Sequence, residues 1–466
     1  MIRSAFLVLS GNAAGSLLSF ARNLVVARLI PVEDFGVAAT LALVVAIVEM
    51  VSALGLQQQI VQARDGDDPR FQAALQGFQV LRGVLSGLAL LLLAGPFARF
   101  MGVPEATWGY RAMALVPVLN ALVHFDVYRL SRAMRFGPGV VAGVAPGAAS
   151  LAAAWPLALW LGDWRAMLGA ILLGSALGAL ASHLVAERPY RLTLDRDVTL
   201  RALRFGWPLL VNNALLFLVF NGDRALVGRE LGMAALGIFS MGLTMTLTPT
   251  LVLAKSIQSL FLPRLSALDR EAPGGEERFQ ALARATLETG LANGLLMAVA
   301  VSLLGGPFVF LVLGEHYAPL VPILAVLSAA QALRVFKTGS AVVALSQGRT
   351  GNALAANLVR VAALPLAWAV LIGGGGLEAA VLVGVAGEAL GFALSLALVR
   401  ATCGLRLRPL LAPLLLAAVV LVVISVHGLP QELRLGLPVV LALGLAAGMN
   451  DLRRLLWDAL SRRRRR

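Results

Sequence analysis

Long runs of apolar residues alternate along this chain with short connections where Arg, Asp, Pro and Gly gather. A helix needs about 20 mostly apolar residues to cross the hydrocarbon core of a bilayer. Within lipid every backbone polar group must be satisfied inside its own segment, which excludes open sheet. On that template the pattern predicts fourteen spans, at 4–30, 37–62, 72–98, 107–128, 138–161, 166–186, 206–230, 235–262, 280–304, 318–338, 351–372, 377–399, 409–427 and 435–450. The longest polar connection, 187–205, follows the sixth span and reads as a cytoplasmic, partly amphipathic linker. The expected organisation is an N-terminal lobe at 1–186, that linker, a C-terminal lobe at 206–400, and two added helices with a basic tail at 401–466. The N-terminal run holds Asn12, Arg22 and Asn23 and outlasts any export signal, so it is expected to stay as a span rather than be cleaved.

Composition agrees with the pattern. Of 466 residues 59% are hydrophobic and 14% charged, with a mean hydropathy of +0.84. Soluble domains average roughly 45–50% apolar and 25% charged residues. This excludes a soluble enzyme, a disordered chain and a nucleic-acid-binding domain. The single cysteine, Cys403, has no partner in the chain, which excludes a disulfide scaffold. The net charge of +14 comes from 39 basic and 25 acidic residues, and the basic residues fall mostly between apolar runs. With a cytoplasmic N-terminus, the inner connections, Arg334 and Lys337 among them, carry 27 Lys and Arg and the outer ones 5. The expectation is therefore cytoplasmic placement of both termini. Trp108, Trp164, Trp207, Tyr317 and Trp457 fall near span ends, as interfacial anchors do.

The two halves repeat. At an offset of 201 residues, Asn12 matches Asn213, Arg28 matches Arg229 and Gly36 matches Gly237, together with three apolar identities. Internal repeats of six helices are how transporters build a site between two lobes. The stretch from Asn12 to Gly36 contains Ala27-Arg28-Leu29 and ends in Glu33-Asp34-Phe35-Gly36. The second half has Phe205-Gly206-Trp207-Pro208-Leu209, Asp223-Arg224, Gly232 to Ile238, and Leu262-Pro263-Arg264-Leu265-Ser266. Over roughly residues 1–340 these segments resemble the bacterial polysaccharide transporters of the lipid-linked oligosaccharide flippase family, within the superfamily of multidrug extruders and lipid II flippases. The resemblance implies an all-α integral membrane protein of about 14 helices. It also implies two pseudo-symmetric six-helix lobes around a central cavity, with two C-terminal helices added. The substrate it implies is an oligosaccharide on a polyprenyl diphosphate, moved from the cytoplasmic to the outer leaflet of the bacterial inner membrane for O-antigen, capsule or exopolysaccharide synthesis. Glycosyltransferases and a polysaccharide polymerase of the same pathway are the protein partners it brings to mind.

Candidate chemistry lies in the charges inside the spans. A charge at mid-helix costs about 2.5–3.5 kcal/mol on insertion scales and so normally faces water or a partner. Arg22, Arg82, Arg224 and Arg360 lie deep enough to line a cavity, and Lys255 joins them as a substrate-binding candidate. Guanidinium groups suit a diphosphate because their planar fork meets phosphate oxygens in bidentate fashion. Arg111, Asp126 and Arg284 read equally as snorkelling side chains near span ends, and Glu288 is a further charge within a span. Asn12 and Asn213 are candidates for sugar hydroxyls or for bonding between helices. Glu49, Asp223 and Glu388 are candidates for coupling to H+ or Na+, the alternative being ion pairs with the intramembrane arginines. No cofactor or metal constellation is expected, because His124, His183, His316 and His427 are far apart in sequence. Gly373 to Gly376 lacks the Lys-Ser/Thr of a phosphate loop and reads as a turn, and Arg462 to Arg466 as a tail at the anionic leaflet. Competing readings are an ion-coupled drug extruder, a lipid II flippase, and a membrane glycosyltransferase or polymerase. The last would need catalytic groups in an outer loop, and 305–319 holds only Glu315 as an acid.

Overall fold

The computed structural model describes residues 2–426, 436–442, 444, 449 and 451–452, with the backbone alone for residues 2–9, 12 and 51. Part of the last expected span (435–450) and the basic tail with Arg462 to Arg466 lie outside the described residues, as do His427 and Trp457. The described residues form helices and no strand. Two compact units are present, 1–241 and 242–466.

The first unit holds α1 (Ile2–Leu29), α2 (Val32–Ser52), α3 (Leu56–Gln62), α4 (Pro69–Phe100), α5 (Thr107–Met113), α6 (Leu115–Ala121), α7 (Asp126–Arg132), α8 (Gly137–Leu161) and α9 (Arg165–Leu184). It also holds the first part of α10 (Arg196–Ser266). The second holds the rest of α10, α11 (Gly275–Phe308), α12 (Leu320–Ser346), α13 (Gly351–Ile372), α14 (Leu377–Cys403) and α15 (Leu411–Ser425). Helix stands at every expected span up to 409–427, and nine helices among the described residues are long and apolar enough to cross a membrane. Their outer faces are apolar: Leu92 of α4, Trp160 of α8 and Leu311 after α11 are 70%, 80% and 82% exposed. Such faces need lipid, and the chain is a multi-pass membrane protein.

Two expected spans are interrupted, and two others share one helix. The span at 37–62 divides into α2 and α3 because Gly55 takes a left-handed conformation (φ 66°) between them. The span at 107–128 becomes α5, α6 and the start of α7. Pro117 has no N–H to close the turn onto Met113, and the axis bends by 44° where 104–121 gives way to Asp126–Arg132. At that bend Phe125 donates its N–H to Gln76 Oε1 (3.0 Å) and His124 donates its N–H to Ser182 Oγ (2.9 Å), so buried side chains replace the lost helical bonds. The spans at 206–230 and 235–262 share α10, whose 71 residues break at Gly232 (φ 83°, ψ 180°).

Of residues 187–205, read as a linker, 196–205 open α10, and 187–195 are fastened to the rest of the first unit by polar groups. The Asp126 carboxylate accepts the N–H groups of Glu187 (2.7 Å) and Arg188 (3.2 Å). Gln76 donates to the Arg191 carbonyl (3.3 Å), and the Thr193 N–H reaches the Ala73 carbonyl (3.2 Å). The compact units part later, after Met241, because the stretch around Gly237 packs on α2. There a Cβ on Gly36 would collide with the Met233 carbonyl oxygen, and one on Gly237 with that of Val32. The two glycines matched by the sequence repeat thus meet each other.

Candidate functional site

In the first unit Arg22 and Arg82 rest on neutral groups. Arg22, two-thirds along α1, donates through Nη1 to Ser150 Oγ of α8 (3.1 Å) and through Nη2 to Asn23 Oδ1 (3.2 Å). Arg82 of α4 donates through Nη1 to both the carbonyl and the hydroxyl of Ser52 (2.9 Å each) at the end of α2. Its buried Nε meets no hydrogen-bond partner among the described residues. Arg224 donates to Asn221 Oδ1 one turn earlier on α10 (3.2 Å). Neutral dipoles of this kind solvate a guanidinium without cancelling its charge. Glu49 of α2 accepts from Asn120 Nδ2 of α6 and lies within electrostatic reach of Arg82. Asn213 donates to the Ala53 carbonyl (3.4 Å), which is a bond between helices rather than an open polar group. Asp223 is half-buried beside Arg224. The side chain of Asn12 lies outside those described.

The second unit gathers its charges instead. Glu388, in the middle of α14 and 1% exposed, accepts from Arg334 Nε at 2.6 Å and from Lys337 Nζ at 3.1 Å. Arg360 Nε of α13 stands 3.3 Å from the same carboxylate, and its side chain is 3% exposed. Lys337 Nζ also donates to Asn357 Oδ1 of α13 (3.3 Å). Three helices thus place three cations around one carboxylate. Lys255, on the second part of α10, is exposed.

Arg334 and Lys337, expected in a cytoplasmic connection, leave that count because α12 runs on to Ser346 and carries both inside the helix. Their spacing of three, with Ala341-Val342-Val343-Ala344-Leu345 still to follow, was the available signal. His124 and His183, far apart in sequence, meet in the fold: their rings lie 5.3 Å apart and Tyr190 packs on both. The alternatives for the outer members resolve into structural pairs. Asp126 binds Arg129 Nε (2.5 Å), Arg284 binds Asp451 (2.6 Å), and Glu288 accepts the Leu452 N–H (2.7 Å). Arg111 is exposed. Among the described residues no group of three His, Cys, Asp or Glu is placed to hold a metal ion.

Over 315 residues the chain is 24% identical to the succinoglycan biosynthesis transport protein ExoT of Rhizobium meliloti (strain 1021). That alignment takes in 67% of this chain and spans 62% of the relative's length. Among solved structures, the lipid II flippase MurJ in an inward closed conformation aligns with a TM-score of 0.71 at 13% identity, covering 98% of this chain and 100% of that one. An inward-facing multidrug resistance MATE family transporter of the MOP superfamily aligns with a TM-score of 0.66 at 14% identity, covering 83% of this chain and 95% of that one. These likenesses establish a shared fold. The model of one family, described as polysaccharide biosynthesis protein, matches residues 25–322, and the chain belongs to that family.

Proposed function

We propose that this protein is a transporter, not an enzyme, that moves an oligosaccharide linked to polyprenyl diphosphate from the cytoplasmic to the outer leaflet of the bacterial inner membrane. It would feed the synthesis or export of a surface polysaccharide, beside glycosyltransferases and a polymerase of the same pathway. The observation that carries this reading is Arg22: a guanidinium deep in a spanning helix, held by Ser150 and Asn23, whose charge stays available to an anion. The succinoglycan transport relative and the family support a polysaccharide cargo, and the MurJ-like fold supports a lipid-linked one.

The mechanism that fits is alternating access of two lobes, with spans one to six and seven to twelve as their helical content and both termini in the cytoplasm. Guanidinium groups at Arg22, Arg82 and Arg224 would meet the diphosphate, and half-buried amides such as Asn213 would stay with helix packing. We infer that the membrane potential supplies direction, since it acts on each charge with about 2.3 kcal/mol per 100 mV and an inside-negative potential drives an anion outward. The three cations around Glu388 favour this over proton exchange at that carboxylate, which leaves Glu49 and Asp223 as the candidates for ion coupling.

The test is flipping of a polyprenyl-diphosphate sugar in liposomes, with potential and ion gradients imposed separately. Transport should follow the potential and fall in Arg22→Ala and Arg224→Ala, with Lys at either position restoring only part of it because it lacks the fork. Normal flipping in both Ala variants would overturn the assignment of these arginines. Transport that ignores the potential, follows an ion gradient and is lost in Glu49→Gln would overturn the proposed driving force.

A further inference from the structure

The second part of α10 presents a polar face where a spanning helix should present an apolar one. Ile257, Phe261 and Leu265, four residues apart, are 1%, 1% and 0% exposed and share a core with Phe279 of α11 and Val335 of α12. On another side of the helix, Thr244, Thr248, Lys255, Ser259 and Ser266 follow one another at spacings of four and seven residues. Those spacings keep them in one line along α10. Thr244 and Thr248 are half-buried, and Lys255, Ser259 and Ser266 are exposed. Ser256 and Gln258, also exposed, flank the line. Other spans of the second unit turn apolar groups outward, as Leu296 of α11, Trp368 of α13, Leu390 of α14 and Leu415 of α15 do.

The line is too long to be the polar end of a span. Fifteen residues separate Thr244 from Ser259, about 22 Å of helix. A long side chain near a span end can snorkel to the headgroups, but short hydroxyls spread over most of a core about 30 Å thick cannot. Polar groups at that depth are retained where they face water or a partner. After Glu230 α10 holds no acid, and Lys255 pairs with none among the described residues. The Ser256 hydroxyl donates to the Val252 carbonyl (2.8 Å) and the Ser259 hydroxyl to the Ser256 carbonyl (3.0 Å). Each oxygen therefore keeps lone pairs for another donor. A diphosphate calls for guanidinium forks. An amide, hydroxyl oxygens and one flexible ammonium instead match a string of sugar hydroxyls, which donate and accept in turn.

We propose that this face of α10, from Thr244 to Ser259, is wet and carries the oligosaccharide part of the cargo. Gln258, Ser256 and Ser259 exchange hydrogen bonds with its hydroxyls, and Lys255 donates to its hydroxyl or carboxylate oxygens. The assignment rests on the transporter reading above and adds a sugar-binding surface to the arginines that would meet the diphosphate.

The experiment labels single cysteines in the full-length protein in liposomes. Cys403→Ser removes the native thiol, and Ser259→Cys, Thr248→Cys or Leu366→Cys introduces one. The first two are nearly isosteric, and Leu366, 58% exposed on α13, is the reference in lipid. N-ethylmaleimide crosses lipid but reacts with the thiolate, which apolar surroundings suppress. Ser259→Cys and Thr248→Cys should therefore label at least about tenfold faster than Leu366→Cys, the equivalent of one pKa unit. Farnesyl diphosphate carrying cellotetraose should slow both, and bare farnesyl diphosphate should slow neither. Labelling of both at the Leu366→Cys rate would place the face in lipid and overturn the proposal. Equal slowing by the two probes, or slowing by neither, would overturn it as well. Flipping of a polyprenyl-diphosphate sugar in the same liposomes separates the two readings. Protection by the sugar-bearing probe without flipping sinks only the transporter reading, and flipping without protection sinks only this surface.

Discussion

The two units treat intramembrane cations in opposite ways. In the first, Arg22 and Arg82 are separate and lie on hydroxyls, an amide and a carbonyl. In the second, Arg334, Lys337 and Arg360 crowd one carboxylate. A guanidinium held by neutral dipoles keeps its full charge for an incoming anion and depends on no single partner. A cluster around a carboxylate leans on that group, since removing it leaves like charges facing one another in a low dielectric. The first arrangement suits contact with cargo, and the second makes stability and charge depend on each other.

The largest effect that can break this comparison is expected at Glu388. Glu388→Gln should destabilise the protein by about 3–5 kcal/mol in thermal or denaturant unfolding, as loss of one member of a buried ion cluster does. Adding Arg360→Gln should recover part of that loss, because the two substitutions share one interaction. Additive losses in the double variant would show that the cluster is not a unit. The next effect is Arg22→Ala, which removes the hydrogen bonds to Ser150 and Asn23 but strands no opposite charge. Its cost should be about 0.5–1.5 kcal/mol, with flipping affected far more than folding. A loss as large as that of Glu388→Gln would erase the distinction between the units.

Smaller still is Glu49→Gln. The Gln oxygen can accept from Asn120 as the carboxylate does, so stability should move by no more than about 0.5 kcal/mol. A severe loss would mean that Glu49, like Glu388, serves as a counter-charge. The smallest effect concerns Asp65, outside the spans, whose two oxygens bind Arg201 at 2.6 and 2.8 Å. The Arg201 hydrogen bonds hold the Asp65 carboxyl below its ordinary range, so this pair stabilises the fold at neutral pH. That contribution is lost as the pH falls below about 3.9 and through the lowered value. Both side chains are solvent-accessible, so the gap between the unmodified protein and Asp65→Asn should be small at pH 7 and close in acid. A gap that widens in acid would reverse the assignment.

The apolar runs made the helices legible, because lipid demands continuous apolar length and the chain supplies it. They did not reveal the breaks at Gly55 and before Asp126, where a backbone conformation and long-range bonds to Gln76 and Ser182 override the local pattern. Arg22, Arg82 and Arg360 stood out because each interrupts an apolar run. Arg334 and Lys337 did not, because they sit near the C-terminal third of a span whose end was placed too early, and there a charge looks like a loop residue. The meeting of Glu388 with three cations from two other helices is a tertiary fact, and only one of those cations was conspicuous in sequence. The His124, His183 and Tyr190 contact was hidden for the same reason, since tens of residues separate the first two.

The fastening of residues 187–193 has a consequence for biosynthesis. Asp126, Gln76 and the Ala73 carbonyl find partners in a segment made after all six preceding spans. At a synthesis rate of roughly 5–20 residues per second, the segment follows Asp126 out of the ribosome seconds later. During that interval these groups must stay hydrated or bonded to something else. The first six helices can enter the membrane one by one, but their bundle reaches its final hydrogen bonding only when the chain beyond them has emerged. A chain released after Leu184 would hold all the helices up to α9 and still lack the strap that locks them.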